Sequence, residues 1–256
     1  MSKLIKSIVA RLRGRPSVPR ERRRLSDLIM SNYNRTVQYG PLKGYKIPEE
    51  SHWGGLARPS MLLGLYEQEV LNVLIKYAEK RDVFVDVGAA DGFFAVGLVA
   101  CGIFQRSYAF EINANGRKVI KKSSEINGVP HSISVIERFD KDFVAKAKEI
   151  DLRRSVVLID IEGDEFNLLD SSLIELLRGA VVVVELHGFH FENGEALKSA
   201  LFARLKAHFD LTTITTGARE VPRSEFLDAM SDNERWLLCS EGRARRMEWV
   251  IASPRG

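Results

Sequence analysis

Between residues 83 and 216 the chain alternates short β-rich apolar runs with stretches of helical period. Val83–Val87, Ser107–Glu111, Ile133–Ile136, Ser155–Ile161 and Ala180–Leu186 are expected strands. Phe93–Cys101, Asn113–Asn127, Lys141–Ile150, Glu165–Arg178 and Glu195–Ala207 are the helices expected between and after them. Apolar strands without polar alternation are buried on both faces, so the pattern predicts a mostly parallel sheet sandwiched by helices. The end breaks the rhythm. Leu211–Thr216 and Met247–Ala252 read as an antiparallel pair, separated by a helical insertion around Ser224–Leu238. Ahead of the first strand, residues 65–80 carry a helical stripe (Leu65, Val70, Leu71, Leu74, Ile75, Ala78). Residues 33–64 mix Gly, Pro and aromatics and predict little regular structure.

Five βα units closed by an antiparallel hairpin is the layout of the class I S-adenosylmethionine-dependent methyltransferase fold. The expected division is a basic tail over 1–32, an irregular leading segment and helix covering the cofactor cleft over 33–80, and the methyltransferase domain over 81–256, with its insertion near 218–240. A ligand is expected beyond the carboxyl ends of the strands, where strand order reverses.

Charge adds one asymmetry to this picture. The chain of 256 residues carries a formal charge of +4. Residues 1–24 hold nine Lys or Arg against Glu21 alone, so the remainder is mildly acidic. A folded surface for nucleic acid would carry the positive charge itself, so nucleic acid is excluded as a partner. Within the tail, Leu4, Ile5, Ile8, Val9 and Leu12 form one helical face beside Lys3, Lys6, Arg11 and Arg13. Three readings remain open for it: a solvated tail, an organellar presequence, or a peripheral contact with an anionic membrane. Cys101 and Cys239 stand far apart, which excludes a disulfide framework and fits a reducing, cytoplasmic setting. No apolar run is long enough to span a membrane.

The candidate chemistry sits at the strand ends. Asp86-Val87-Gly88-Ala89-Ala90-Asp91-Gly92-Phe93 provides a small-residue strand-to-helix turn where backbone can approach a ligand. Glu111 follows 23 residues after Gly88 and is placed to accept ribose hydroxyls. Turn and acid alone do not separate a nicotinamide cofactor from S-adenosylmethionine. The glycine spacing falls one residue short of GxGxxG, and Asp86 lies where the methionine end would be addressed. The fourth strand leads into Asp160 and Glu162, the fifth into Glu185 and His187. Each is an i, i+2 pair projecting to one side. Asp164 and Glu165 read as helix-start acids. His187 is the candidate general base, with Asp160 as the alternative. Asp160, Glu162 and Glu185 are candidates for Mg²⁺, which would acidify a sugar diol.

Val85–Gly92, Ile159-Asp160-Ile161-Glu162-Gly163, Val183-Val184-Glu185-Leu186-His187 and Leu63-Gly64-Leu65-Tyr66-Glu67 together resemble the FkbM-type methyltransferases over residues 63 to about 190. The resemblance implies S-adenosylmethionine-dependent O-methylation, commonly of sugar or secondary-metabolite hydroxyls. The cofactor set it and the turn imply is Asp86, Gly88, Ala89, Ala90, Asp91, Gly92, Phe93, Glu111, Ile112, Phe139, Asp160, Tyr66 and Glu67. One departure is Leu158, where the family often carries Lys. The acceptor is expected to be a small molecule or glycan. Two competing functions stay open: an NAD-dependent oxidoreductase, and a catalytically silent cofactor-binding module.

Overall fold

The computed structural model describes residues 17–146 and 150–255. The tail stripe expected over Leu4–Leu12, and part of the helix expected over Lys141–Ile150, lie outside those residues. Seven strands form one sheet: β1 (Val83–Val87), β2 (Arg106–Phe110), β3 (Ile133–Ile136), β4 (Ser155–Ile159), β5 (Val181–Glu185), β6 (Phe209–Thr215) and β7 (Glu248–Pro254). Their order is β3-β2-β1-β4-β5-β7-β6. All neighbours run parallel except β7, which is antiparallel to both β5 and β6. This is the class I methyltransferase layout, with its terminal hairpin.

The apolar strands split by alternation between the two faces. Phe84, Leu158, Val183 and Ile251 join one core. Val85, Val157, Ile159, Val182 and Val184 join the other. The helices covering them are α4 (Phe93–Ala100), α5 (Ala114–Ile126), α6 (Lys141–Lys146), α7 (Glu165–Leu168), α8 (Ser171–Leu177) and α9 (Gly194–Lys206). Before the sheet come α1 (Val18–Asn32), α2 (Arg58–Leu62) and α3 (Gln68–Ala78). The insertion holds α10 (Glu225–Asp228) and α11 (Asp232–Cys239). Within α1, Leu25 and Ile29 are buried, so residues that begin in the basic run end in the core.

Several expected boundaries differ, each for a local reason. The helix expected over Glu165–Arg178 is two. Asp170 takes an extended conformation and its carboxylate caps the Leu173 N–H at 2.8 Å, starting α8 afresh. The insertion helix likewise splits, because Ser224 caps α10 and Ser231 forms a capping box with Glu234 at the start of α11. The helix expected from Leu65 begins at Gln68, since Glu67 sits at φ +42°. The strand expected to reach Ile161 stops at Ile159, ahead of a turn with Glu162 at φ +55°. The last hairpin runs two residues further than expected at its open end, to Phe209 and Pro254, and stops one residue short at the other, at Thr215 and Glu248.

Register sets the site. Val87 pairs with Phe110 on one side and Ile159 on the other, and Ile159 pairs with Val184. The next residue along each strand is therefore at one edge: Gly88, Glu111, Asp160 and Glu185. Order reverses at β1, which opens a cleft at that edge.

Candidate active site

The turn after β1 is fastened by its neighbours. Gly88 and Ala89 both donate their N–H to the Phe110 carbonyl at 2.9 Å. Glu111 accepts from Ala90 N at 2.9 Å and from Asn113 N at 2.7 Å, so the acid that ends β2 also fixes the loop facing it. Gly88 has φ +90°, and a Cβ there would stand 1.8 Å from the Asp160 carbonyl oxygen. The glycine thus serves close approach of two strand ends. Asp86 is buried and accepts the Ala95 N–H at 3.1 Å. Burial, helped by the charge of Glu111 and opposed by the Ala95 N–H, pushes its carboxyl up to about 7. Asp91 is tied to the leading segment, accepting from the Ser51 hydroxyl, from His52 N at 3.0 Å and from His52 Nδ1 at 2.9 Å when that nitrogen carries the proton.

At the ends of β4 and β5 an imidazole stands among acids. His187 Nε2 lies 3.6 Å from Asp160 Oδ1, 3.5 Å from Glu162 Oε2 and 3.9 Å from Glu185 Oε1. Its Nδ1 lies 3.5 Å from Glu165 Oε1. Glu165, placed in the first turn of α7 as expected of a helix-start acid, is fully buried there. It accepts Gly163 N at 2.8 Å and His187 N at 2.7 Å. Asp164 stands at the N-cap without bonding a backbone N–H. Burial pushes the Asp160 carboxyl well above its ordinary value, and the charges of Glu185, Glu67 and Glu162 push the same way. For His187, burial pulls downward, but Glu165 and Glu185 outweigh it and hold the imidazole above its ordinary value.

Arg243, from the loop before β7, reaches into this edge from a distance of many residues in sequence. Its guanidinium bonds Glu185 at 2.7 Å, Glu241 at 2.7 Å and Glu67. Arg219 bridges Glu241 at 2.7 Å and Glu69 at 2.5 Å. Burial and the Glu185 charge push Glu67 up to about 8, against the pull of Arg243.

A cavity of about 470 Å³ opens along the edge. Of the expected cofactor set, all but Gly92 line it: Asp86, Gly88, Ala89, Ala90, Asp91, Phe93, Glu111, Ile112, Phe139, Asp160, Tyr66 and Glu67. Gly92 turns under instead, against Ile120 and Val96. Asp160 and Glu162 line the far end. His187 and Glu185, only 2% and 1% exposed, stand behind that wall. Leu158, at the departure from the family pattern, also lines the cavity. Three of the contacts had no signal in local sequence. Arg243 and the pairing of His52 with Asp91 depend on contacts across the fold. Glu165 was visible as an acid at a helix start, but its grip on His187 was not.

No family model matches the chain, and no curated protein matches it in sequence. Solved structures match its fold. One is a proposed O-methyltransferase from Klebsiella pneumoniae, at 10% identity and TM-score 0.52, covering 100% of this chain and 97% of that one. Another is cofactor-bound Rv0187 from MTB, at 17% identity and TM-score 0.51, covering 98% and 96%. A third is the O-methyltransferase TomG from Streptomyces achromogenes, in complex with SAM, at 15% identity and TM-score 0.51, covering 74% and 80%. The chain has the class I methyltransferase fold. No helix among the described residues is long and apolar enough to cross a membrane.

Proposed function

We propose that this chain is an S-adenosylmethionine-dependent O-methyltransferase of the FkbM type, acting on a hydroxyl of a sugar or related metabolite. The observation that carries this is the single cavity running from Ala90 and Glu111 to Asp160 and Glu162. It joins a nucleoside-binding turn to a carboxylate wall, and its volume lies in the range of small-molecule sites. The residues present fit the cofactor. Glu111 keeps lone pairs for ribose hydroxyls beside its two backbone bonds. The backbone of Gly88–Ala90 lies open to the cavity, and Ile112 and Phe139 offer apolar surface for a purine. Bound there, S-adenosylmethionine supplies an activated methyl group on a sulfonium centre.

What remains for the chain is positioning and removal of one proton. Held in line for attack, an acceptor gains effective concentration rather than new chemistry. An alcohol does not ionise alone at neutral pH, so a proton acceptor is needed. Asp160 and Glu162 line the cavity and are the acceptors within reach of a hydroxyl lodged there. His187 stands behind them, its backbone N–H anchored by Glu165. Tyr66 and Phe93 pack edge-to-face at 5.3 Å and give the cavity an apolar stretch of wall. The test is transfer of labelled methyl from S-adenosylmethionine to a panel of hydroxyl-bearing sugars and glycosides. Transfer to oxygen supports the reading; transfer to nitrogen or carbon acceptors alone overturns its O-methyl part.

A further inference from the structure

The imidazole and carboxylates behind the cavity wall are spaced for an occupant that no side chain provides. A nitrogen hydrogen-bonded to a carboxylate oxygen lies about 2.7–3.2 Å from it. His187 Nε2 instead faces Asp160, Glu162 and Glu185 at 3.6, 3.5 and 3.9 Å, bonded to none. Two atoms that share one ion at about 2.1 Å stand about 3.0–3.6 Å apart for angles of 90–120°, which matches the separations from Asp160 and Glu162; the 3.9 Å to Glu185 is measured to Oε1, the oxygen that Arg243 holds. One donor atom each from Asp160, Glu185 and His187 falls within 4.8 Å of the others.

Two further observations point to a cation. Asp160 Oδ1 and Glu185 Oε2 are buried and have no hydrogen-bond partner, and Glu185 is 1% exposed. Its other oxygen is held by Arg243, which leaves Oε2 as the free atom. The second nitrogen of His187, Nδ1, is likewise buried without a hydrogen-bond partner, 3.5 Å from Glu165 Oε1. Among the described residues no Lys or Arg forms an ion pair with Asp160, Glu162 or Glu165, so the negative charge here is only partly offset by Arg243.

We propose that Asp160, Glu185 and His187 form a site for a divalent cation, with Glu162 at its open side facing the cavity. An imidazole beside two carboxylates suits a first-row transition ion better than Mg²⁺. The role of the ion rests on the methyl-transfer reading; its binding does not. An acceptor hydroxyl touching the ion is a stronger acid. Its oxygen then bonds to the methyl carbon as the carbon–sulfur bond breaks, and its proton passes to Glu162.

The experiment uses the full chain, stripped with a chelator and desalted. Mn²⁺ is titrated by electron paramagnetic resonance, with Mg²⁺ as competitor, and S-adenosylmethionine is titrated separately by calorimetry. The expected result is one Mn²⁺ per chain, weakened at least tenfold in both Glu185→Gln and His187→Ala, and weakly displaced by Mg²⁺. Paramagnetic broadening of the His187 ring resonance in the wild type checks the location even if a variant fails to fold. No saturable Mn²⁺ binding, or a His187 resonance untouched by bound Mn²⁺, overturns the site. If Mn²⁺ fails while S-adenosylmethionine binds, the cation site alone falls; the reverse outcome leaves the site and removes the methyltransferase reading.

Discussion

The carboxylate of Glu165 accepts the backbone N–H of His187 at 2.7 Å, across a separation of 22 residues, from a position with no solvent exposure. Its other oxygen takes the N–H of Gly163 at 2.8 Å. One side chain therefore locks the end of β5 to the turn that follows β4.

Glu165→Gln leaves one carbonyl oxygen where two acceptors are needed. One buried N–H loses its partner, at a cost of about 1–3 kcal/mol. Urea unfolding should show that loss. Methyl transfer should slow while S-adenosylmethionine affinity, set some distance away at Glu111 and Gly88, stays within about twofold. Unchanged stability would mean that the orphaned N–H finds water instead.

Gly88→Val places a branched side chain 1.8 Å from the Asp160 carbonyl, at a φ of +90°. Overpacking and left-handed strain each cost about 1–3 kcal/mol. The variant should unfold at markedly lower temperature or fail to accumulate. A variant of native melting temperature would show that the strand ends separate easily, which the register of β1 and β4 argues against.

These two positions also show what the sequence could and could not disclose. Gly88 was legible, because a small residue between an apolar strand and an apolar helix has few other reasons to be there. Its reason was not: ligand approach is what local pattern suggests, while the closest neighbour is backbone 72 residues away. Glu111, Asp160, Glu185 and His187 could be placed on one edge because parallel strands end together. Their partners could not. Arg243 reaches Glu67 over 176 residues through a loop of no recognisable pattern, and His52 meets Asp91 only because the leading segment folds over the turn. Which acid would line the cavity and which would stand behind it also depends on a turn with Glu162 at positive φ, which alternation along a strand does not foresee.

Asp86 gives a pH dependence. An unfolded Asp has a pKa near ~3.9, whereas burial holds this one at about 7. The folded state then binds the proton more tightly, so stability falls as pH rises from about 4 to about 7. Asp86→Asn keeps an oxygen for the Ala95 N–H and carries no charge. Its melting temperature should exceed that of the wild type at pH 8, with the difference shrinking toward pH 4. A difference independent of pH would contradict a buried, raised carboxyl at this position.

Glu111→Ala removes the acceptor for Ala90 and Asn113 and, on the proposed reading, two charge-assisted bonds to ribose of ~1.5–3 kcal/mol each. Calorimetry should show S-adenosylmethionine affinity reduced by at least about tenfold. Equal affinity in the variant would take Glu111 out of the nucleoside site.

The central claim is the identity of the cofactor in the cavity between Glu111 and Asp160. Calorimetric titration of the full chain with S-adenosylmethionine, S-adenosylhomocysteine and NAD in parallel tests it most directly. The account predicts one equivalent of S-adenosylmethionine or S-adenosylhomocysteine per chain and no heat with NAD. Saturable binding of NAD with none of either sulfur compound would contradict it.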